Sequence, residues 1–235
     1  MPERLDRLLA SQGPWSRKEA KRLVKAGRVL VDGRAPKGPE EKVDPSRQEI
    51  RVDGVPLRYR RHRHYLVYKP PGYLSATRDE REAVVLELLP PEERKNLALA
   101  GRLDKDAEGL ILLTTDGELA HRVTHPKHKL EKTYEVWLDA PVGEEEVRLF
   151  AEGVAGFSPA RLVPLSGARA RVTISEGKYH QVKRMFGAVG RRVKRLLRTN
   201  IGPLSLEGLA PGEWRELSPS EEEALYRAVR LDRGR

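Results

Sequence analysis

Three carboxylates stand at alternate positions in Gly101-Arg102-Leu103-Asp104-Lys105-Asp106-Ala107-Glu108-Gly109, and glycine closes the run. A calcium loop places oxygen ligands at its first, third and fifth positions and glycine at its sixth. Counted from Asp104, position twelve is Thr115, where such a loop needs a bidentate glutamate. The flank is also wrong. Leu110-Ile111-Leu112-Leu113 reads as a buried strand leading to an Asp116-Gly117 turn, whereas this loop belongs between helices. Metal coordination is set aside on those grounds. Asp106 and Glu108 then read as local ion-pair or turn residues. Asp104, between Arg102 and Lys105 just before that strand, stays open between a further ion-pair residue and a carboxylate that acts as nucleophile, base or electrostatic stabiliser.

Two further stretches combine cations or a phenol with apolar residues. Glu176-Gly177-Lys178-Tyr179-His180-Gln181-Val182-Lys183-Arg184 offers Lys178, Lys183 and Arg184 on a turn and the start of a helix. There Tyr179 and Val182 are expected to line a pocket or the core, and His180 to make a structural hydrogen bond. Lys132-Thr133-Tyr134 places a phenol on a strand, where it serves either the core or a stacking surface.

The chain has 235 residues, a net charge of +10 and no cysteine, which excludes disulfides and thiolate metal sites. No apolar run approaches the roughly 20 residues that span a bilayer, and the start lacks the apolar core of a signal peptide. A cytoplasmic location without membrane attachment is the expectation. Asparagine occurs only as Asn96 and Asn200 beside abundant Arg and Glu, a composition that hints at a thermophilic source. Residues 1–63 carry 17 Lys+Arg against 9 Asp+Glu, whereas residues 64–235 carry 28 against 26. The surplus charge thus sits in the first quarter of the chain, as in a module that meets a polyanion.

That quarter also has the clearest local signals. Leu5, Leu8 and Leu9 have helical spacing. Ser16 to Glu19 reads as a capping box opening a helix near Arg17–Ala26, which Gly27 ends. Ala20, Leu23 and Val24 can face a core, while Lys18, Lys21, Arg22 and Lys25 recur at i, i+3, i+4 and i+7 on the opposite face. Four like charges repel along one face, so a phosphate-facing helix is preferred to a merely solvated one. Strands follow at 28–31 and 49–52, each ending in an Asp-Gly turn. The Arg- and His-rich residues 58–64, Arg61 among them, read as a linker with phosphate affinity of its own. Beyond it, strands are expected at 65–69, 110–113, 133–138 and 170–174, with helices near 83–89, 144–150, 180–189 and 220–229. Without regular βαβ alternation, the order favours an α+β fold.

"SRKEAKRLVKAGRVLVDG" resembles an S4 domain, an RNA-binding module, over residues 3–58. "GRLDKDAEGLILLTTDG" resembles the catalytic motif of pseudouridine synthases of the RsuA branch. "LVYKPPGYLSA", "HPKHKLEKTYEV", "ISEGKYHQVKRMFGAVG" and "IGPLSLEGLAPGEWRELS" agree with that branch in the same order. The resemblance implies an α+β chain with an S4-like domain at 1–58, a basic linker at 59–64 and a mixed, mostly antiparallel-sheet catalytic domain at 65–235. It implies that uracil is detached from its ribose, turned and reattached through carbon, a redox-neutral isomerisation that needs no cofactor. Asp104 would be the essential acid, Tyr134 a stacking or proton-removing ring, and Lys183 the cation paired with the acid, where related branches carry arginine. Arg102 would fill the space vacated by the flipped base; Arg28, Lys178 and Arg184 would add RNA contacts. The expected partner is ribosomal RNA acted on by a monomer. "EKTYEV" and "EGKYHQVKRMF" look most like the small-subunit enzymes. A large-subunit target and a noncatalytic ribosome-assembly factor are the alternatives.

Overall fold

The computed structural model describes residues 2–232 and divides into two compact units. The first comprises the chain through Arg61 together with Pro91–Lys95; the second comprises His62–Pro90 and the chain from Asn96 onward.

The first unit is built on helices α1 (Leu5–Gln12) and α2 (Arg17–Lys25). Strand β1 (Glu3–Arg4) pairs with β3 (Lys42–Val43); β2 (Val29–Val31), β4 (Ile50–Val52) and β5 (Val55–Pro56) form an antiparallel sheet. Leu5, Leu8 and Leu9 of α1 meet Ala20, Leu23 and Val24 of α2 over Val29, Val31 and Ile50. The Ser16 hydroxyl accepts from the Glu19 amide, and the Glu19 carboxylate accepts from the Ser16 amide, so both ends of the capping box close. Gly27 has φ +71°, the left-handed backbone that glycine adopts without strain. Lys18, Lys21, Arg22 and Lys25 are all exposed, opposite the buried face of α2.

The second unit has a single large sheet. Its strands are β6 (His64–Lys69), β7 (Ala98–Leu99), β8 (Glu108–Thr114), β9 (Lys132–Leu138), β10 (Arg161–Leu165), β11 (Arg169–Ile174), β12 (Val193–Ile201), β13 (Leu204–Ser205) and β14 (Trp214–Glu216). The main order is β10-β11-β9-β12-β8-β6-β14; only β12 and β8 run parallel. Helices α3 (Gly117–Thr124), α4 (Glu144–Glu152), α5 (Gln181–Ala188) and α6 (Pro219–Ala228) complete the unit. One core holds Tyr65, Val67, Ile111, Leu113, Phe150 and Phe186; the other holds Leu66, Tyr68, Leu110, Leu112, Leu119 and Leu225. Alternate side chains of β6 and β8 point to opposite faces, so strands buried on both sides are apolar along their middles, Leu66-Val67 and Leu110–Leu113.

Several expectations shift. The boundary between units falls within the stretch read as a linker, and His64, its last residue, is a buried strand residue whose Nδ1 lies 2.8 Å from the Thr114 hydroxyl. The helix expected near 83–89 is a short 3₁₀ turn, Val85–Leu88, cut off before Pro90-Pro91. Strands β10, β12 and β14 and helix α3 have no counterpart among the sequence-based expectations. Strand β12, Val-Lys-Arg-Leu-Leu-Arg-Thr-Asn-Ile, shows no apolar alternation, because it places arginines where other strands place aliphatic side chains.

Candidate active site

Asp104 lies in the loop that enters β8, and its position is fixed from four directions. The Ser75 hydroxyl donates to the Leu103 carbonyl at 2.7 Å and accepts from the Leu103 amide at 2.9 Å. The Gly72 amide donates to the Lys105 carbonyl at 2.8 Å. Lys69, fully buried, spends its ammonium on the carbonyls of Pro70, Tyr73 and Lys105 at 2.9–3.2 Å. Arg198 donates through Nε to the Leu110 carbonyl at 2.8 Å and through Nη1 to the Arg102 carbonyl at 3.1 Å. Arg198 therefore grips the backbone on both sides of Asp104.

The glycine at the start of β8 is explained by the same arginine. Gly109 pairs with Arg198 in the parallel β8–β12 register, and a Cβ there would lie 2.3 Å from the Arg198 carbonyl oxygen. Gly109 and Gly101 also have φ +112° and +107°, values hostile to a side chain. The glycine that completes the calcium-like spacing is required by strand packing.

The three acids do not converge. Lys183, in the first turn of α5, donates to Asp106 at 2.6 Å and lies 3.1 Å from Asp104 Oδ2. His180 Nε2 lies 3.4 Å from Asp104 Oδ1. Glu108 pairs instead with Arg195 and accepts from the Tyr68 hydroxyl at 3.0 Å. Burial opposes the Lys183 charge, but its hydrogen bonds to Asp106 and Asp104 outweigh this and hold its pKa above the ordinary lysine value. The same Lys183 hydrogen bond holds Asp106 below the usual carboxylate range. Lysine serves both acids here, with Asp106, 74% exposed, as the outer partner.

A pocket of about 280 Å³ opens beside this cluster, and its walls include Arg102, Asp104, Lys132, Tyr134, Lys183 and Arg198. Tyr134 is 7% exposed, on the buried face of β9. Arg102 is exposed and forms no ion pair with Asp104 among the described residues, so it is not a simple counter-ion. Lys178 lines the pocket and pairs with Glu176 at 3.0 Å. Arg184 lies outside the lining and stacks over the Phe157 ring, 4.9 Å from its centroid. Tyr179 is neither core nor pocket floor. It is 78% exposed and stacked on the His180 ring at 3.8 Å, lining a second groove that also reaches Asp104.

The RNA pseudouridylate synthase family matches residues 63–188, and the S4 domain matches residues 3–49. The chain belongs to the RNA pseudouridylate synthase family. It is similar to an uncharacterised RNA pseudouridine synthase of Bacillus subtilis, with 46% identity over 93% of this chain and 96% of that one. Its identity to the ribosomal small subunit pseudouridine synthase A of Yersinia pestis is 43%, over 93% and 96%. The crystal structure of a pseudouridylate synthase superposes with a TM-score of 0.67 at 36% identity, covering 95% of this chain and 99% of that one.

For a pseudouridine synthase, the pocket gives each residue a task to be weighed. Asp104, Tyr134, Lys183 and Arg102 are brought together at its wall. Arg28 is engaged elsewhere, by a bidentate pair with Asp53 at 2.7 and 2.6 Å in the first unit. Arg61 closes that unit and is itself partnered. Lys69, Ser75, Lys132 and Arg198 were not anticipated from the sequence. A usable signal existed for two of them: a lysine that ends an otherwise apolar strand, and an arginine at an inward position, must each find buried acceptors.

Proposed function

We propose that this chain isomerises one specific uridine of small-subunit ribosomal RNA to pseudouridine. The observation that carries the reading is the Asp104 carboxylate, held 3.1 Å from the Lys183 ammonium in a pocket walled by Tyr134. Likeness over nearly the full chain to enzymes named for the small subunit supports the choice of RNA. The S4 match supports a separate RNA grip.

The chemistry follows from the geometry. A base stacked in folded RNA lies beyond the reach of Asp104, so the target uridine must be extruded, at a cost of a few kcal/mol. Stacking on Tyr134 returns about 1–3 kcal/mol of this. Exposed Arg102, with a planar guanidinium, fills the gap left in the RNA and meets phosphate. The Lys183 ammonium lies 3.1 Å from Asp104 Oδ2, and the Asp104 carboxylate meets the electron-poor sugar carbon as the bond to uracil breaks. Exposed Tyr179 offers a second stacking face for a neighbouring base.

Pseudouridine mapping across ribosomal RNA, from cells with and without this protein, tests the reading. One small-subunit position should be lost without it and restored by purified protein on the transcript. A change confined to the large subunit moves the target to that RNA. An unaltered map leaves a noncatalytic RNA-binding role.

A further inference from the structure

Two buried cations in the pocket wall have no counter-ion among the described residues. Lys132 is 8% exposed and Arg198 1%, and neither forms an ion pair there. Burying a charge is costly unless it is paired and its hydrogen bonds are filled. Lys69, which burial also pushes down to about 8, shows the partners this unit supplies where the role is structural. Its three N–H groups reach three carbonyls, and Asp106 and Asp104 lie near enough to favour its charge. Lys132 has one carbonyl, Leu130, at 2.9 Å, and the charge that acts on it is the like-signed Arg198. Burial and that repulsion push Lys132 down to about 8. Arg198 uses Nε and Nη1 on the loop around Asp104, but its Nη2 has no partner among the described residues.

Their placement is specific. Lys132 and Tyr134 are two apart on the buried face of β9, and Arg198 is the cross-strand partner of Tyr134 in the β12–β9 register. The ring proposed to stack the uracil is therefore flanked by one cation along its strand and by another across the sheet. No acid among the described residues neutralises either, so the floor of the pocket awaits an electron-rich group.

We propose that Lys132 and Arg198 are catalytic residues that stabilise the negative charge gathered on the uracil ring when its bond to ribose breaks. In that step both electrons of the C1′–N1 bond leave with the ring, as a uracil anion delocalised over N1 and the two carbonyl oxygens. C1′ is left electron-poor beside Asp104. A ring electron pair at C5 then forms the C1′–C5 bond, the C5 proton is lost, and N1 takes up a proton, so the sum is an isomerisation. Should Asp104 instead add to the ring or remove a sugar proton, the displaced electrons still collect on the uracil. Fixed donors aimed at developing charge in a closed site act on the transition state more than on the bound substrate.

The inference rests on the uridine chemistry proposed above and uses the RNA found by that mapping. Lys132→Met keeps the volume and removes an uncompensated charge. Its thermal midpoint should hold or rise and its RNA affinity stay within about 3-fold, while the single-turnover rate falls about 10²–10³-fold. Replacing the target uridine by 2-thio- or 4-thiouridine gives a less basic ring anion that accepts hydrogen bonds weakly. The deficits of Lys132→Met and of Arg198→Lys, which keeps charge but loses the free Nη2, should shrink at least about tenfold on one thio substrate. A merely structural role predicts a lowered midpoint and equal deficits on all three substrates. That pattern, or a wild-type rate in Lys132→Met, overturns the assignment. Absence of turnover by the unaltered protein on every ribosomal RNA overturns this inference together with the function it rests on.

Discussion

Lys18, Arg22 and Lys25 on α2 are exposed and free of ion pairs among the described residues, whereas Lys69, Lys132 and Arg198 are buried in the second unit. The two sets use cations in opposite physical regimes. On α2 the charges remain hydrated, each contributes little by itself, and their effect on a polyanion is summed and screened by salt. In the second unit each buried cation is held by named carbonyls, and its field acts at full strength over a few ångströms. The first arrangement suits grip without discrimination. The second suits a rate.

That contrast is broken most severely at Asp104, the acid whose loop Lys69 and Arg198 hold by its carbonyls. Asp104→Asn keeps the shape and removes the charge, so pseudouridine formation should fall at least ~10⁴-fold while RNA affinity stays within a few-fold. Single-turnover rates and filter binding on the same RNA give both readouts. Near-normal turnover removes Asp104 from the reaction.

The exposed set should respond in the reverse sense. Neutralising Lys18, Lys21, Arg22 and Lys25 together should weaken RNA binding about 10²-fold near 0.1 M salt. It should also lessen the slope of log affinity against log salt by about 0.7–0.9 for each phosphate that is no longer neutralised. With saturating RNA, turnover should change little. An unaltered salt slope shows that this face does not meet phosphate.

A smaller effect separates support of the acid from the acid itself. Ser75→Ala leaves the amide and carbonyl of buried Leu103 unpaired, a cost of about 1–3 kcal/mol. Turnover should fall about 10–100-fold through misplacement of Asp104, with a lower thermal midpoint and unchanged RNA affinity. A lowered midpoint with unchanged turnover would show that the loop keeps its geometry without this bond.

The same contrast explains what was legible in the sequence. Lys18 through Lys25 could be read because an exposed helix face is a matter of period alone, and the Ser16–Glu19 box is local. Strands β6, β8, β9 and β11 were legible because apolar runs and alternation survive in one dimension. Arg198 was not. Its acceptors, the carbonyls of Arg102 and Leu110, are backbone groups nearly a hundred residues away, and a carbonyl carries no sequence signature. For the same reason β12 reads as a polar stretch, although it lies at the centre of the sheet. Asp106 looks like a bystander in the sequence; Lys183 divides itself between it and Asp104 because the turn of Asp104-Lys105-Asp106 presents both carboxylates to α5. Such sharing depends on two loops meeting, which spacing within one of them does not encode.

The mildest prediction concerns cations of the first unit that are not all free. Asp6 has a fully buried side chain and accepts from Arg4 at 3.1 Å and Arg17 at 3.2 Å, with Lys21 at 3.9 Å. Hydrogen bonds from Arg4, and then from Arg17, outweigh burial and hold its pKa at about 2. A carboxylate depressed in the folded state stabilises above its unfolded value, near 4, and that contribution is lost as pH falls from about 4 through about 2. The arginines are about half exposed, so solvent screening limits the effect to about 1–2 kcal/mol. Asp6→Asn should destabilise the first unit by that amount at pH 7 and by progressively less below pH 4, read by hydrogen exchange of α1 and α2 amides in the full chain. Because it frees Arg17 and Lys21 toward solvent, RNA affinity should not fall. A fall in affinity equal to that of the four-cation variant would instead show that Asp6 sets the geometry of the phosphate-binding face, and the exposed cations would then be as positioned as the buried ones.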